Sequence, residues 1–254
     1  MKKYFRLVLL GIATTLCVSC NDKSDITKKE SSENPTIKNG TIMAAFSVSD
    51  TKKVYFSMGN LQYQGSTNTW RFAEHQYDMV GEDNENISEK YDGWIDLFGW
   101  GTSGWNSGAI AYHPYSISPN YADYYPGENF ENNLTDDYAN ADWGVYNKIS
   151  NGGDEIGMWR TLTGNEWNYL ISTRPHSKEL YSRGCVNGVY GLIILPDEWE
   201  QPETISFKPR GIEWNTNEYT TAEWLKMEIN GAVFLPTAGN RDEVEIYNVG
   251  TDGY

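Results

Sequence analysis

The chain has 254 residues and 39% of them are hydrophobic, enough for one large domain or two small ones with a real core. Its formal net charge of −15 excludes a surface built to neutralise a phosphate backbone, so nucleic acid is not an expected partner. Ten Trp, eighteen Tyr and 24 Gly point to many short strands and long loops packed around large amphipathic rings.

The N-terminus reads as a leader. Lys2, Lys3 and Arg6 precede an apolar run at 7–16, and small residues then lead to a cysteine. The run is too short for a spanning helix. Val18-Ser19-Cys20 resembles a bacterial lipobox, although Cys17 stands where such a motif usually has Leu. The resemblance implies a signal peptide at 1–19, cleavage before Cys20 and acyl chains on its sulfur. Each buried methylene of such chains contributes about 0.8 kcal/mol to a membrane anchor. The expected location is the Gram-negative cell envelope, as an outer-membrane lipoprotein exposed at the cell surface. Residues 20–39 have almost no apolar side chain beyond the anchor and cannot offset their ordering entropy, so a disordered tether is expected there. Fully extended, it reaches on the order of 60 Å.

A single domain is expected over 40–254, beginning with strands. Segments 45–49 and 54–58 flank a hairpin loop at 50–53, and 61–64 and 69–73 flank a second at 65–68. In the latter, Trp70 and Phe72 alternate with Arg71 and Ala73, so one face is buried. A short helical turn is expected at 74–80, then an acidic loop, Glu82-Asp83-Asn84-Glu85-Asn86. The stretch 81–140 fits neither helical nor strand period. It carries Trp94, Trp100 and Trp105 among glycines and Tyr112, Tyr115, Tyr121, Tyr124 and Tyr125 among prolines. A loop this long inside a domain is commonly functional. Trp94 and Trp100 are expected as its own core; Trp105 and the five tyrosines are expected to be exposed and ligand-binding.

The segment 158–173 is the most informative. Trp159–Leu162 alternates as a strand, and Thr163 and Glu166 have the spacing of a capping box, in which hydroxyl and carboxylate satisfy the free N–H groups of a helix start. Trp167, Leu170 and Ile171 form one helical face, and Pro175 ends it by pushing Arg174 out of the helical region. Further on, Asn187-Gly188 between 183–186 and 189–195 is a strong hairpin signal. The apolar run at 192–195 reads as a central strand. Thr220 and Glu223 repeat the capping-box spacing, Asn230-Gly231 is the matching C-cap, and 232–235 is a last strand.

These motifs carry a family resemblance. Trp159-Arg160 running into Thr163-x-x-Glu166-Trp167, with DLFGWGTSGW at 96–105, DWGVYNKISNGG at 142–153 and AVFLPTAGNRD at 232–242, resembles the formylglycine-generating (sulfatase-modifying-factor) branch of the C-type lectin fold. It is more similar still to that branch's catalytically silent bacterial paralogues, the FISUMP domains. The resemblance spans 44–254. It implies an α+β, C-type lectin-like fold: a small twisted antiparallel sheet, two or three short helices and long ordered loops. Family members usually continue past the equivalent of Gly253-Tyr254 with strands that pair near the N-terminal one. A sheet edge without its neighbour is therefore expected, and either a truncated fragment or a fold completed some other way.

Site chemistry follows. The formylglycine-generating enzymes use a late, copper-binding cysteine pair, whereas Cys185 is the sole cysteine beyond Cys20 and can make neither an intrachain disulfide within the body of the chain nor a Cys-rich metal site. His75, His113 and His176 lack metal-ligand spacing. No catalytic residue and no cofactor is expected. Asp83, Glu85, Asp136, Asp137 and Asp142 are oxygen donors on loops, of which Asp136, Asp137 and Asp142 are the weak calcium candidates, without the spacing of a calcium loop. The expected function is non-catalytic: a lipid-anchored module presenting a glycan- or protein-binding head. Two alternatives stand beside it, a variable-display protein of a diversity-generating retroelement and a degenerate formylglycine-generating-type oxidase.

Overall fold

The computed structural model describes residues 13–16 and 37–250. Cys20, the expected cleavage site and the expected tether as far as residue 36 lie outside them. The first strand is β1 (Ala13–Leu16), within the apolar run at 7–16. Next is a hairpin, β2 (Ile37–Lys38) and β3 (Thr41–Ile42), turning at Asn39-Gly40 with both residues at positive φ. The described chain thus resumes in a hairpin at Ile37. Asn39-Gly40 carries the same turn chemistry as Asn187-Gly188, but its flanking strands are too short to show a period.

Strands β4 (Phe46–Ser47), β5 (Lys53–Phe56) and, after a long excursion, β8 (Trp159–Thr161) complete the first sheet in the order β4-β5-β1-β8. β1 is antiparallel to both neighbours, Thr15 lying opposite Tyr55 on one side and Trp159 on the other. Residues 13–16 thus stand between β5 and β8. Directly opposed residues share a sheet face, so Phe56 and Trp159 face opposite ways. Phe56 joins Phe46, Val54, Leu162 and Leu170 in one core cluster. Trp159 joins Trp70, Phe72, Trp143 and Ile149 in another. Its indole N–H donates to Gly152 O at 2.6 Å, and the Phe72 ring meets it edge-on at 4.5 Å. The hairpin β6 (Leu61–Gln64) and β7 (Thr69–Phe72) packs on this second face.

Residues 74–80 are not helical. The Asp78 carboxylate instead accepts from His75 N–H across a tight turn, and the helical turn falls later, a 3-10 segment at Gly81–Glu85 inside the expected acidic loop. Three short α-helices follow: α1 (Trp143–Tyr146), α2 (Gly164–Asn168) and α3 (Thr221–Ile229). Both capping boxes form, Thr163–Glu166 on α2 and Thr220–Glu223 on α3. α2 loosens into a π turn, Tyr169–Thr173, and stops at Arg174, whose ψ of 152° is extended.

The second sheet has the order β11-β9-β10-β12, from β9 (Tyr181–Val186), β10 (Val189–Ile194), β11 (Glu218–Tyr219) and β12 (Val233–Pro236). Only β11 against β9 is parallel among its pairings. β10 is central, and its apolar run has a cause: Ile194 faces the cluster shared with the first sheet, while Ile193 faces Trp224 and Met227 of α3. Buried Gln76 stitches β12, accepting from Phe234 N–H at 2.6 Å and donating to Ala232 O and Glu228. A last hairpin, β13 (Asn240–Asp242) and β14 (Glu245–Tyr247), follows. The fold is α+β, with small, mostly antiparallel sheets and few helices.

Trp159 sits where β8, β7 and α1 converge, so Trp159→Ala is expected to cost about 3–5 kcal/mol in urea unfolding. A loss below about 1 kcal/mol would contradict this packing.

Candidate functional site

The framework of the site is a carboxylate. Arg160 grips Glu166 with two hydrogen bonds of 2.7 Å, Lys52 from the β4–β5 turn adds a third at 2.8 Å, and Thr163 N–H donates a fourth at 2.9 Å. Trp159, Arg160, Thr163, Glu166 and Trp167 therefore act as one brace between β8, α2 and the first sheet, with half-buried Trp167 tilted against Phe56. Burial alone would raise the Glu166 carboxyl, but the bonds from Arg160, Lys52 and Thr163 outweigh it and hold it at about 2.

From this brace the aromatic loop is built inwards. Buried Asn84 clamps Asp96, donating to its Oδ1 at 2.8 Å and accepting from the N–H groups of Asp96 and Leu97. Burial pushes Asp96 up to about 6. Trp143 is buried against Phe98 and Trp100, and its N–H reaches Thr102 Oγ1 at 3.3 Å. The Arg71 guanidinium covers Trp94 at 3.8 Å. Trp94 and Trp100, both half-buried, thus serve the loop's own packing.

The rings expected to be exposed are mostly not. Trp105 is half-buried beside Tyr138. Tyr115 is half-buried and stacked on His113, 4.9 Å apart and 8° from parallel, with Tyr112 against the same imidazole. Tyr124 packs where a side chain at Gly99 would collide with its ring, and its hydroxyl accepts from Ser118 N–H at 2.8 Å. Tyr125 is half-buried with Tyr121 beside it. Tyr121 alone of the six candidates is exposed, at 67%. The exposed apolar surface nearby comes instead from Ile110 (60%), Ile117 (55%) and Phe130 (63%). The loop is held rigidly: Ile110 and Ala111 N–H both donate to Asp123 O, Asn120 and Ser118 hold the Asp123 carboxylate, and Arg241 reaches across to Pro114 O. Ile110, Ile117 and Phe130 carry neither an indole nor a phenol, and nothing local in the sequence marks them out.

A second aromatic surface lies on the other sheet. Tyr190 stacks on Trp214 at 5.7 Å, the Arg183 guanidinium sits 4.6 Å over the same indole, and Ile212 nearby is 74% exposed. The outward alternation of β10 was the available signal for Tyr190. Nothing local announces Trp214.

The carboxylates do not converge. Asp136 and Asp137 are exposed on a 3-10 segment, whereas Asp142 is buried, accepting from Thr161 N–H at 2.7 Å and from Gly144 N–H at the start of α1. That role ties the outer edge of β8, and burial pushes Asp142 up to about 6. Among the described residues, no three His, Cys, Asp or Glu side chains are grouped to hold a metal ion. Cys185 is buried on β9, and burial pushes its thiol up. No helix among the described residues is long and apolar enough to cross a membrane.

Comparison with protein-family models, curated proteins and solved structures found no match. The site therefore has to be read from its own geometry.

The brace makes stability pH-dependent. Glu166 titrates lower in the fold than its ordinary 4.5, so its contribution is present above 4.5 and is lost as the pH falls towards about 2. Asp96 and Asp142 work in the opposite sense, stabilising less as the pH rises from 3.8 through about 6. Glu166→Gln is expected to lower the Tm at neutral pH and to flatten the acid limb below pH 4.5, leaving the slope between 4 and 6 unchanged. An acid limb as steep as in the parent protein would show that Glu166 does not carry it.

Proposed function

We propose that this chain is a lipid-anchored cell-envelope protein whose folded head, of the C-type lectin-like, FISUMP type, binds a glycan or protein ligand without catalysis. The observation that carries the reading is the rigid loop presenting Tyr121, Ile110, Ile117 and Phe130 to solvent. Exposed apolar side chains on a hydrogen-bonded loop contribute contact area at little ordering cost. The aromatic ring provides a face for a sugar or a peptide side chain. Its own hydrogen bonds around Asp123 and the packing of buried Trp143 against Phe98 and Trp100 account for why that loop holds its shape.

Two further features support the reading. Cys185 lies buried in a hairpin with its thiol pushed towards the unreactive form, which suits a head that does no thiol chemistry. The Val18-Ser19-Cys20 motif favours anchoring through Cys20, with the membrane as the first partner.

A glycan and peptide array probed with the full chain tests the head. Tyr121→Ala with Phe130→Ala is expected to weaken any captured ligand at least about tenfold, since each ring is worth roughly 1 kcal/mol or more at an interface, with Tm unchanged. Binding that survives this pair but is lost in Trp214→Ala would transfer the site to the Tyr190–Trp214 surface. For the anchor, globomycin is expected to accumulate an unprocessed precursor; unchanged processing removes Cys20 lipidation.

A further inference from the structure

The motif at 232–242 ends in Arg241-Asp242, and the fold brings Arg241 to the aromatic loop across 127 residues of chain. β12 stops at Pro236, and Gly239, at a φ of 90°, turns the chain into the β13–β14 hairpin. A side chain there would meet Tyr247 O at 2.6 Å, so the hairpin closes only over glycine. Arg241 lies opposite Ile246, and opposed residues share a face. Asp242 and Glu245, on the other face, are exposed, whereas Arg241 and Ile246 are half-buried.

What Arg241 meets is a turn. Ser116 N–H donates to His113 O at 2.8 Å, and Pro114 takes the second position, where a fixed φ is favoured. Arg241 Nη2 donates to Pro114 O at 3.0 Å and reaches Ser116 O at 3.5 Å. The Tyr124 hydroxyl donates to the same Ser116 O at 3.4 Å and accepts from Ser118 N–H at 2.8 Å. One guanidinium thus ties the turn to Tyr124, and Ile117 and Tyr121 lie between these two ties. Arg241 Nη1 is buried without a hydrogen-bond partner, and among the described residues no carboxylate forms an ion pair with Arg241. An unpaired buried donor is destabilising, and the bonds to the turn carbonyls are what offset it. We infer that Arg241 is the positioning residue of the proposed binding loop: from the β13–β14 hairpin it clamps the 113–116 turn and so places Ile117 and Tyr121. The clamp stands apart from the binding reading; its consequence for affinity rests on that reading.

Hydrogen exchange on the full chain tests the clamp. Arg241→Met keeps the apolar stem and removes every donor. The amides of Ile110, Ala111 and Ser118 are expected to lose at least about tenfold in protection, while those of β9 and β10 keep theirs. The contacts are to carbonyls and not to a bidentate carboxylate, so the ammonium of Arg241→Lys is expected to restore protection to within about threefold of the parent. Protection that survives Met, or that Lys does not restore, overturns the clamp. Should the Met chain fail to fold, as loss of β9 and β10 protection would report, the parent decides. Its amides at 240–247 and at 110–118 are expected to share one opening transition in urea-dependent exchange, and separate transitions overturn the clamp. On a glycan and peptide array, any ligand weakened by Tyr121→Ala is expected to weaken at least about tenfold with Arg241→Met. A ligand held as tightly by a loosened loop as by the parent overturns the positioning role. Protection lost in Met, with no ligand captured by the parent, would leave the clamp standing and remove the binding reading.

Discussion

A single carboxylate holds together parts of the chain that lie far apart. Glu166 is contacted by Arg160 from β8, by Lys52 from the β4–β5 turn and by the Thr163 N–H at the start of α2. Four donors on two oxygens compensate its desolvation, the condition under which a largely buried charge is tolerated. A second node repeats the device nearby. Arg174, with no exposed side-chain surface, bonds Asp197 and Leu195 O, and Asp197 also accepts from Ser47 and Lys53. Between them the two nodes fix the first sheet against α2 and against the end of β10. Their geometric demands contribute more to specifying the arrangement than to net stability, because replacing such pairs by well-packed apolar groups often costs little.

Around these nodes both sheets are buried on two faces. Phe56 and Trp159 enter different clusters from one sheet, and Ile193 and Ile194 do so from the other. A small sheet that is covered twice has little room for solvent-facing alternation, which is why the end of β10, at 192–194, is apolar without a break. It also makes the sheet edges the weak places. Asp142 and Gln76 close two of them with side-chain acceptors at a small cost in buried polarity, and β1 stands between β5 and β8.

The aromatic loop illustrates how far residue type alone misleads. Trp105 and the five tyrosines from Tyr112 to Tyr125 were expected to face solvent because their rings suit binding. Most are instead consumed in making 94–147 rigid: Trp143 against Phe98, Tyr115 against His113, Tyr124 over Gly99. A glycine-rich segment without regular ladders has to find its buried area in large rings, so the rings go in and the smaller aliphatics Ile110 and Ile117 are left outside. What remains exposed is Tyr121, Phe130 and the two isoleucines, on a hydrogen-bonded support.

Whatever depends on neighbours within a turn or two was legible in the residues alone. Both capping boxes, the Asn187-Gly188 hairpin, the paired strands at 61–64 and 69–72, and the stop at Arg174 before Pro175 follow from local sterics and local hydrogen bonds. Tertiary structure alone decided the rest. Asp142 became the anchor of the β8 edge rather than a loop carboxylate, Gln76 the cover of β12, and residues 13–16 a central strand. Ser47 finds its partner Asp197 at a separation of 150 residues, and no local period encodes such a meeting. The physical reason is that a backbone donor or a buried charge requires a partner without prescribing which one; the choice is made when the sheets close and only certain groups lie within reach.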